Sequence, residues 1–205
     1  MADFLYLASQ SPRRSQLLDQ LGVAHQLLLP NTGGDVAEDA EAIELPLPGE
    51  IPALYVERVT GLKLDAAVLR HARRGLPAAP IVCSDTTVAL GRRMYGKPDD
   101  AADAARMLGE LSGKTHRVLT AVALQHGTKR LTAVSISSVR FDALTAVQIE
   151  AYVATGEPMG KAGAYAVQGR AAAFITQLRG SYSGIMGLPL FETARLLQAA
   201  GVALR

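Results

Sequence analysis

The chain has one cysteine, no tryptophan, four phenylalanines and a formal net charge of only +2. Each shortage excludes something. With Cys83 alone there is no internal disulfide and no cysteine-based metal site; placed after an apolar run, it reads as a small buried hydrophobe. A charge this close to balance gives no argument for nucleic acid, and no basic stretch is interleaved with aromatics. Any strong positive potential must therefore be local. The N-terminus shows no basic region followed by a long apolar stretch, so no signal peptide is expected. No window is apolar for long enough to cross a bilayer, and the expectation is a cytoplasmic protein with no membrane partner. What the chain does have is apolar material. Hydrophobic residues make up 49% of 205 residues and charged residues 20%, which suits one domain over 1–205 with a sizeable core.

Phe4 to Ala8 reads as a short buried strand that turns into a helix. Ser11 is a good N-cap, and Pro12 fits the first helical position, where its missing N–H costs nothing. Leu17, Leu18 and Leu21 form the apolar face, and Gly22 is the stop. Arg13 and Arg14 break the pattern. A helix N-terminus already carries partial positive charge and free N–H groups, so two cations there are unfavourable unless an anion joins them. Ser9, Ser11, the free amides and the two guanidiniums together describe a phosphate cradle. A capped surface helix with two solvated arginines is the competing description.

His25 to Leu29 reads as a second strand. Residues 30 to 52 are the most acidic stretch, and Pro46, Pro48 and Pro52 forbid a continuous helix there. A solvated loop is expected, from which one carboxylate could reach a metal or a sugar hydroxyl. From Ala53 to Arg73 the spacing is helical, with Leu54, Val59, Leu62, Ala66 and Leu69 as the apolar stripe. Lys63 lies beside that stripe, either snorkelling along the core edge or pointing into a cleft. Arg70, His71, Arg73 and Arg74 close the helix where cations suit its dipole; they need no ligand, and His71 is expected at the surface.

Pro80 to Leu90 is β-branched and apolar, interrupted by Ser84-Asp85-Thr86. A carboxylate in a buried strand is costly without partners, and strand ends in α/β folds are where ligands bind. Asp85 is therefore read as projecting into a site with Thr86 beside it, the alternative being an aspartate satisfied by neighbouring amides. A hairpin at Gly91-Arg92-Arg93 would return Lys97 to the neighbourhood of Asp85. Asp99 or Asp100 caps a helix that Gly113 ends, strands follow over 118–124 and 132–141, and Thr145 caps a helix over 146–153. Between 155 and 169 the glycines imply a loop that approaches something closely, with Lys161 and Gln168 as its polar candidates. A strand over 174–178, a second such loop at Arg179 to Gly184 and a last helix from Pro189 complete an α/β pattern: a mixed sheet, flanking helices and a central cleft.

In order and spacing these stretches resemble the Maf family of nucleoside triphosphate pyrophosphatases. The match runs through Ala8-Ser9-Gln10-Ser11-Pro12-Arg13-Arg14, Ser84-Asp85-Thr86, Gly96-Lys97-Pro98 and Leu111-Ser112-Gly113-Lys114-Thr115-His116. It continues through Gly156-Glu157-Pro158, Lys161-Ala162-Gly163-Ala164-Tyr165, Gln168-Gly169, Gly180-Ser181-Tyr182-Ser183 and Gly187-Leu188-Pro189-Leu190. The resemblance implies hydrolysis of a nucleoside triphosphate between the α- and β-phosphates, a divalent cation (Mg²⁺ or Mn²⁺), a homodimer and a cytoplasmic location. It also implies the elongated fold, with a deep cleft, shared with inosine triphosphate pyrophosphatases. Asp85 falls on the family's proposed proton acceptor. Members acting on dTTP and UTP carry arginine after Ser-Pro, threonine after the aspartate and glutamine before the late glycine, and Arg13, Thr86 and Gln168 match all three. Members acting on 7-methyl-GTP usually differ at these places. Another base, such as 7-methylguanine, and a nucleotide-binding regulator of septum formation are the alternatives.

Two departures stand out. Gly160 replaces the aspartate that commonly precedes Lys-Ala-Gly, and Glu38 is the best candidate for the family's early glutamate within a loosely aligned loop. On this reading Arg13, Arg14, Lys63 and Lys97 supply positive charge, while Ser9, Ser11 and Lys161 join the substrate contacts. Asp85 and Glu38 hold the metal, Asp85 takes the water proton directly or as a metal ligand, and Thr86 and Gln168 read the pyrimidine edge.

Overall fold

The computed structural model describes residues 4–30 and 40–202. The first strand β1 (Leu5–Leu7) leads into helix α1 (Pro12–Gln20), then strand β2 (His25–Leu27), the short helix α2 (Ala40–Glu44) and the long helix α3 (Pro52–Arg73). Next come β3 (Ile81–Leu90), β4 (Arg93–Tyr95), α4 (Ala101–Leu111), β5 (Thr115–His126), β6 (Lys129–Phe141) and α5 (Ala146–Val153). Two 3₁₀ turns precede β7 (Ile175–Arg179), α6 (Tyr182–Met186) and α7 (Leu190–Ala199).

All seven strands join one sheet in the order β2-β1-β3-β5-β6-β7, with β4 added beside β3. β1 runs parallel to β2 and β3, because helices α1 and α3 carry the chain back between them; the hairpins β3–β4 and β5–β6 pair antiparallel, as do β5 with β3 and β7 with β6. This is the expected mixed α/β sheet with flanking helices. The edge of β3 changes partner along its length. β1 pairs with it as far as Val82, and β4 takes over only at Val88. Residues 83 to 87 therefore lack a strand neighbour on that side among the described residues, which opens the sheet at Asp85.

Period-two alternation sends β3 side chains to two layers. Cys83 and Ala89 pack against α3, with Leu64, Ala67, Val56 and Val59. Val82 packs with Leu17, Leu18 and Leu197 of α1 and α7, while Val88 packs with Leu108, Leu111 and Tyr165 farther along the same face. Between those two clusters lies a polar row, Thr86 opposite Thr120 opposite Ser135, covered by α6. Cys83 is wholly buried, as its neighbours suggest, and burial pushes its thiol up to about 12.

Several expectations need correction. The buried face of α3 is Tyr55, Val56, Val59, Thr60, Leu64, Ala67 and Arg70; Leu54 and Leu69 are 57% and 50% exposed. Apolar residues lie on more than one side of this helix, so spacing alone allowed more than one phase, and packing against the sheet decided which was buried. Arg70 is buried and donates to the Leu28 carbonyl, and Arg74 donates to the Leu29 carbonyl, so this cluster ties α3 to the end of β2. His71 is half-buried, its ring 5.0 Å from that of Tyr6. The stretch expected as an acidic loop contains α2, and the expected loop at 179–184 opens α6. At Ser11 the side chain makes no cap bond; its own N–H donates to Ser9 Oγ at 3.1 Å. Thr145 does cap α5, in a reciprocal pair with Gln148.

Candidate active site

The gap beside β3 opens into a cavity of about 560 Å³. Its wall contains Ser9, Ser11, Arg13, Arg14, Lys63, Asp85, Thr86, Lys97, Lys161 and Gln168, so the structure gathers these sequence candidates in one place. Glu38 lies outside the described residues. Among the described residues the carboxylate that stands near Asp85 is Glu44, at the end of α2, a residue that sequence reasoning left among the loop acids. No local pattern distinguishes it from Glu38 or Glu41; only its placement does.

Asp85 is 9% exposed, and its Oδ1 accepts from Lys63 Nζ at 2.6 Å. The same ammonium donates to Glu44 Oε1 at 2.6 Å, and Lys97, more exposed, lies 3.3 Å from Glu44 Oε2. Lys63 thus points into the cleft. Burial works against its charge, but the Asp85 and Glu44 carboxylates outweigh that and hold its pKa above the usual lysine value. Burial likewise pushes Glu44 up, and Lys63 with Lys97 more than reverses it, leaving Glu44 below its ordinary value. Tyr55 donates its hydroxyl to the Glu44 carbonyl at 2.9 Å, and Arg58 clamps Glu50 and the Leu45 carbonyl. Those two residues of α3 fix the end of α2 that carries Glu44.

The two arginines of α1 reach the cavity from the other layer. Arg14 donates to the Gly187 carbonyl at 2.8 Å and to Ser9 Oγ at 3.0 Å, and Arg13 donates to the Met186 carbonyl at 3.3 Å. These contacts rule out two solvated arginines on a capped surface helix. Burial lowers both guanidinium pKa values; at Arg14 the Asp85 charge opposes that and the Arg13 charge adds to it. Two partly desolvated cations side by side are an arrangement that a bound polyanion would relieve. Ser84 Oγ shares its one hydrogen between the Ala121 carbonyl at 2.8 Å and the Gly187 carbonyl at 2.9 Å, so the turn after α6 lies against both α1 and β3. Gly187 has φ +116°, a conformation open chiefly to glycine.

Thr86 has a fixed polarity. Thr120 Oγ1 donates its only hydrogen to the Gly184 carbonyl at 2.7 Å, so the 2.9 Å bond between the two threonines is donated by Thr86. The remaining capacity of the Thr86 hydroxyl is to accept. On the far wall, Lys161 donates to the Glu157 and Met159 carbonyls, and its pKa is lowered by burial and by Arg13. Gly160, where resemblance led one to look for an aspartate, lines the cavity and has φ +70° with open space where a side chain would start. Tyr165, deeper in the wall, shares its hydroxyl with His116 Nε2 at 2.9 Å.

Taken together, a carboxylate pair bridged by one ammonium faces a separate cluster of guanidiniums across an open cavity. Such a site can bind a polyanion at one wall and hold a base and a cation near it.

The family model described as Maf-like protein matches residues 4–200. A protein of Albidiferax ferrireducens named dTTP/UTP pyrophosphatase is 68% identical over 201 residues, covering 98% of each chain. Proteins of the same name from a Polaromonas species and from Cupriavidus metallidurans are 65% and 61% identical, each over 98% of this chain and 98% and 99% of theirs. Among solved structures, the Staphylococcus aureus Ham1 protein aligns with 95% of this chain and 96% of its own, at 10% identity and a TM-score of 0.42.

Proposed function

The chain belongs to the Maf family, and from that premise we propose that it hydrolyses dTTP and UTP between the α- and β-phosphates, releasing the nucleoside monophosphate and pyrophosphate. Full-length relatives of that name support the substrate. The observation that carries the chemistry is Lys63, held 2.6 Å from both Asp85 and Glu44 on the wall of the cavity that Arg13 and Arg14 also line.

The reaction places a water oxygen on an α-phosphorus surrounded by negative charge. Arg13, Arg14, Lys63 and Lys97 neutralise that charge, with the free amides of α1 behind them. Asp85 accepts the water proton as the new P–O bond forms. The bond from the α-phosphorus to the bridging oxygen breaks, and pyrophosphate leaves with that electron pair, stabilised by the same cations. Thr86, as an acceptor, and Gln168 contact the base.

The donor set fits a divalent cation. An ammonium between two carboxylates marks a cation position with hard oxygen donors on both sides. Among the described residues no three His, Cys, Asp or Glu cluster closely enough to hold a metal alone, so substrate oxygens would complete the shell. Mg²⁺ or Mn²⁺ bound by Asp85 and Glu44 would draw charge from the phosphates. Family membership also supports a cytoplasmic homodimer; light scattering on the purified chain should then give twice the chain mass. Among the described residues no helix is long and apolar enough to cross a membrane.

Pyrophosphate release from dTTP, UTP, CTP and 7-methyl-GTP, with Mg²⁺ and with Mn²⁺, tests the assignment. Turnover should be highest on dTTP and UTP. A preference for 7-methyl-GTP would overturn the base assignment, and tight dTTP binding without release would overturn hydrolysis.

A further inference from the structure

Gln168 is exposed on the cavity wall, and its amide makes no hydrogen bond among the described residues. A free glutamine side chain on a glycine-rich loop has many rotamers to lose on binding, which weakens any contact it makes. The loop around it is not free. Ala166 N–H, two residues before, donates to Tyr152 Oη at 3.3 Å. Arg170 N–H, two residues after, donates to Glu157 Oε2 at 3.1 Å. Tyr152 in turn donates its hydroxyl to Glu157 Oε1 at 2.8 Å. Both ends of the five-residue segment are thus tied to a single carboxylate, the first through a phenol and the second directly.

The fit is close. Glu157 lies against Gly169, where a Cβ would meet its carboxylate, so a larger residue after Gln168 would have to displace that carboxylate. Glu157 also accepts Lys161 Nζ on its own carbonyl, so one residue holds both the Lys161 side chain and the backbone beside Gln168. Tyr152 is buried at the end of α5, packed edge-on against Phe174 at 5.4 Å, which makes the anchor rigid. Burial pushes the Glu157 carboxyl up, but the Arg170 and Ala171 amides and the Tyr152 hydroxyl hold it below its usual value, so it stays charged at neutral pH.

We infer that Tyr152 and Glu157, neither of which lines the cavity, are positioning residues that aim Gln168 at the nucleobase. This rests on the reading of Gln168 as a base contact. A kinetic double-mutant cycle on UTP tests it, using Tyr152→Phe, Gln168→Ala and the double variant, with Glu157→Gln as a second break in the same tie. Tyr152→Phe keeps the packed ring and should melt near the wild-type temperature. It should raise KM for UTP about fivefold to tenfold with kcat changed by no more than about twofold, the size of one lost contact. Glu157→Gln should do the same. In the Gln168→Ala background, Tyr152→Phe should add no more than about a twofold change, because the group it aims is gone. Additive losses, or an unchanged KM in both Tyr152→Phe and Glu157→Gln, would overturn the proposal while leaving the activity intact. A Gln168→Ala enzyme with wild-type KM and base preference would overturn the base contact itself, and no release from UTP by the wild type would overturn the reaction.

Discussion

At the scale of single residues, the site depends on charges held where water is scarce. Among the described residues Asp85 has one strong partner, Lys63, and no competing amide ties. Asp85→Asn keeps the shape and removes the proton acceptor; pyrophosphate release should fall by about 10²- to 10⁴-fold while nucleotide binding persists. Lys63→Met removes the charge that most depresses Glu44. Glu44 should then titrate at higher pH, so the acid limb of the kcat/KM profile should move upward on the residual turnover. An unmoved limb would show that Glu44 does not govern it. Cys83 is buried with its thiol pushed up to about 12, so a thiol reagent should label it only after unfolding.

At the scale of elements, β3 and the 3₁₀ turn at Ala162–Ala164 fit closely. Gly163 has φ +69°, and a Cβ there would lie 2.8 Å from Val88 Cγ2 and 3.0 Å from Val88 Cβ. Its N–H also donates to the Gly96 carbonyl at 3.0 Å, next to Lys97. Gly163→Ala should therefore cost about 1–3 kcal/mol in denaturant unfolding and raise KM, since it pushes apart two walls of the cavity. The sequence marked this segment as a close approach from its glycines. It gave no indication that the neighbour would be a β3 valine or that Glu157 would secure the segment's far end. Likewise, Ser11-Pro12 reads correctly as a helix start, yet the Ser11 side chain makes no cap bond and only its backbone N–H is taken up, by Ser9 Oγ.

At the scale of the whole molecule, acid stability should depend on His116. Burial lowers its pKa from 6.5 to about 4, only weakly opposed by the Lys114 backbone, and Nδ1 has no well-formed hydrogen bond. The unfolded chain binds a proton below about pH 6.5 that the folded chain refuses until about pH 4. The stability this histidine contributes is complete above pH 6.5 and is lost as pH falls through 4, about 3 kcal/mol over the window. Urea unfolding between pH 7 and pH 4 should show that slope, and His116→Phe should flatten it.

Short-range physics made much of this legible in the sequence. Capping at Thr145, glycine stops, strand alternation and the anomaly of two arginines at a helix start are all settled within a few residues. They were enough to name the strands and the longer helices, though not α2 or α6, and ten polar residues of the cavity wall, though not Glu44, Tyr55, Thr87 or Tyr165. The tertiary structure alone decided which face of α3 is buried, that Glu44 stands near Asp85, and that Arg13 and Arg14 bind carbonyls 173 residues away. Those outcomes follow from strand order and from the unpaired edge of β3, where hydrophobic burial on two faces leaves a gap. No local window of the chain encodes which distant carbonyls and carboxylates that gap brings together.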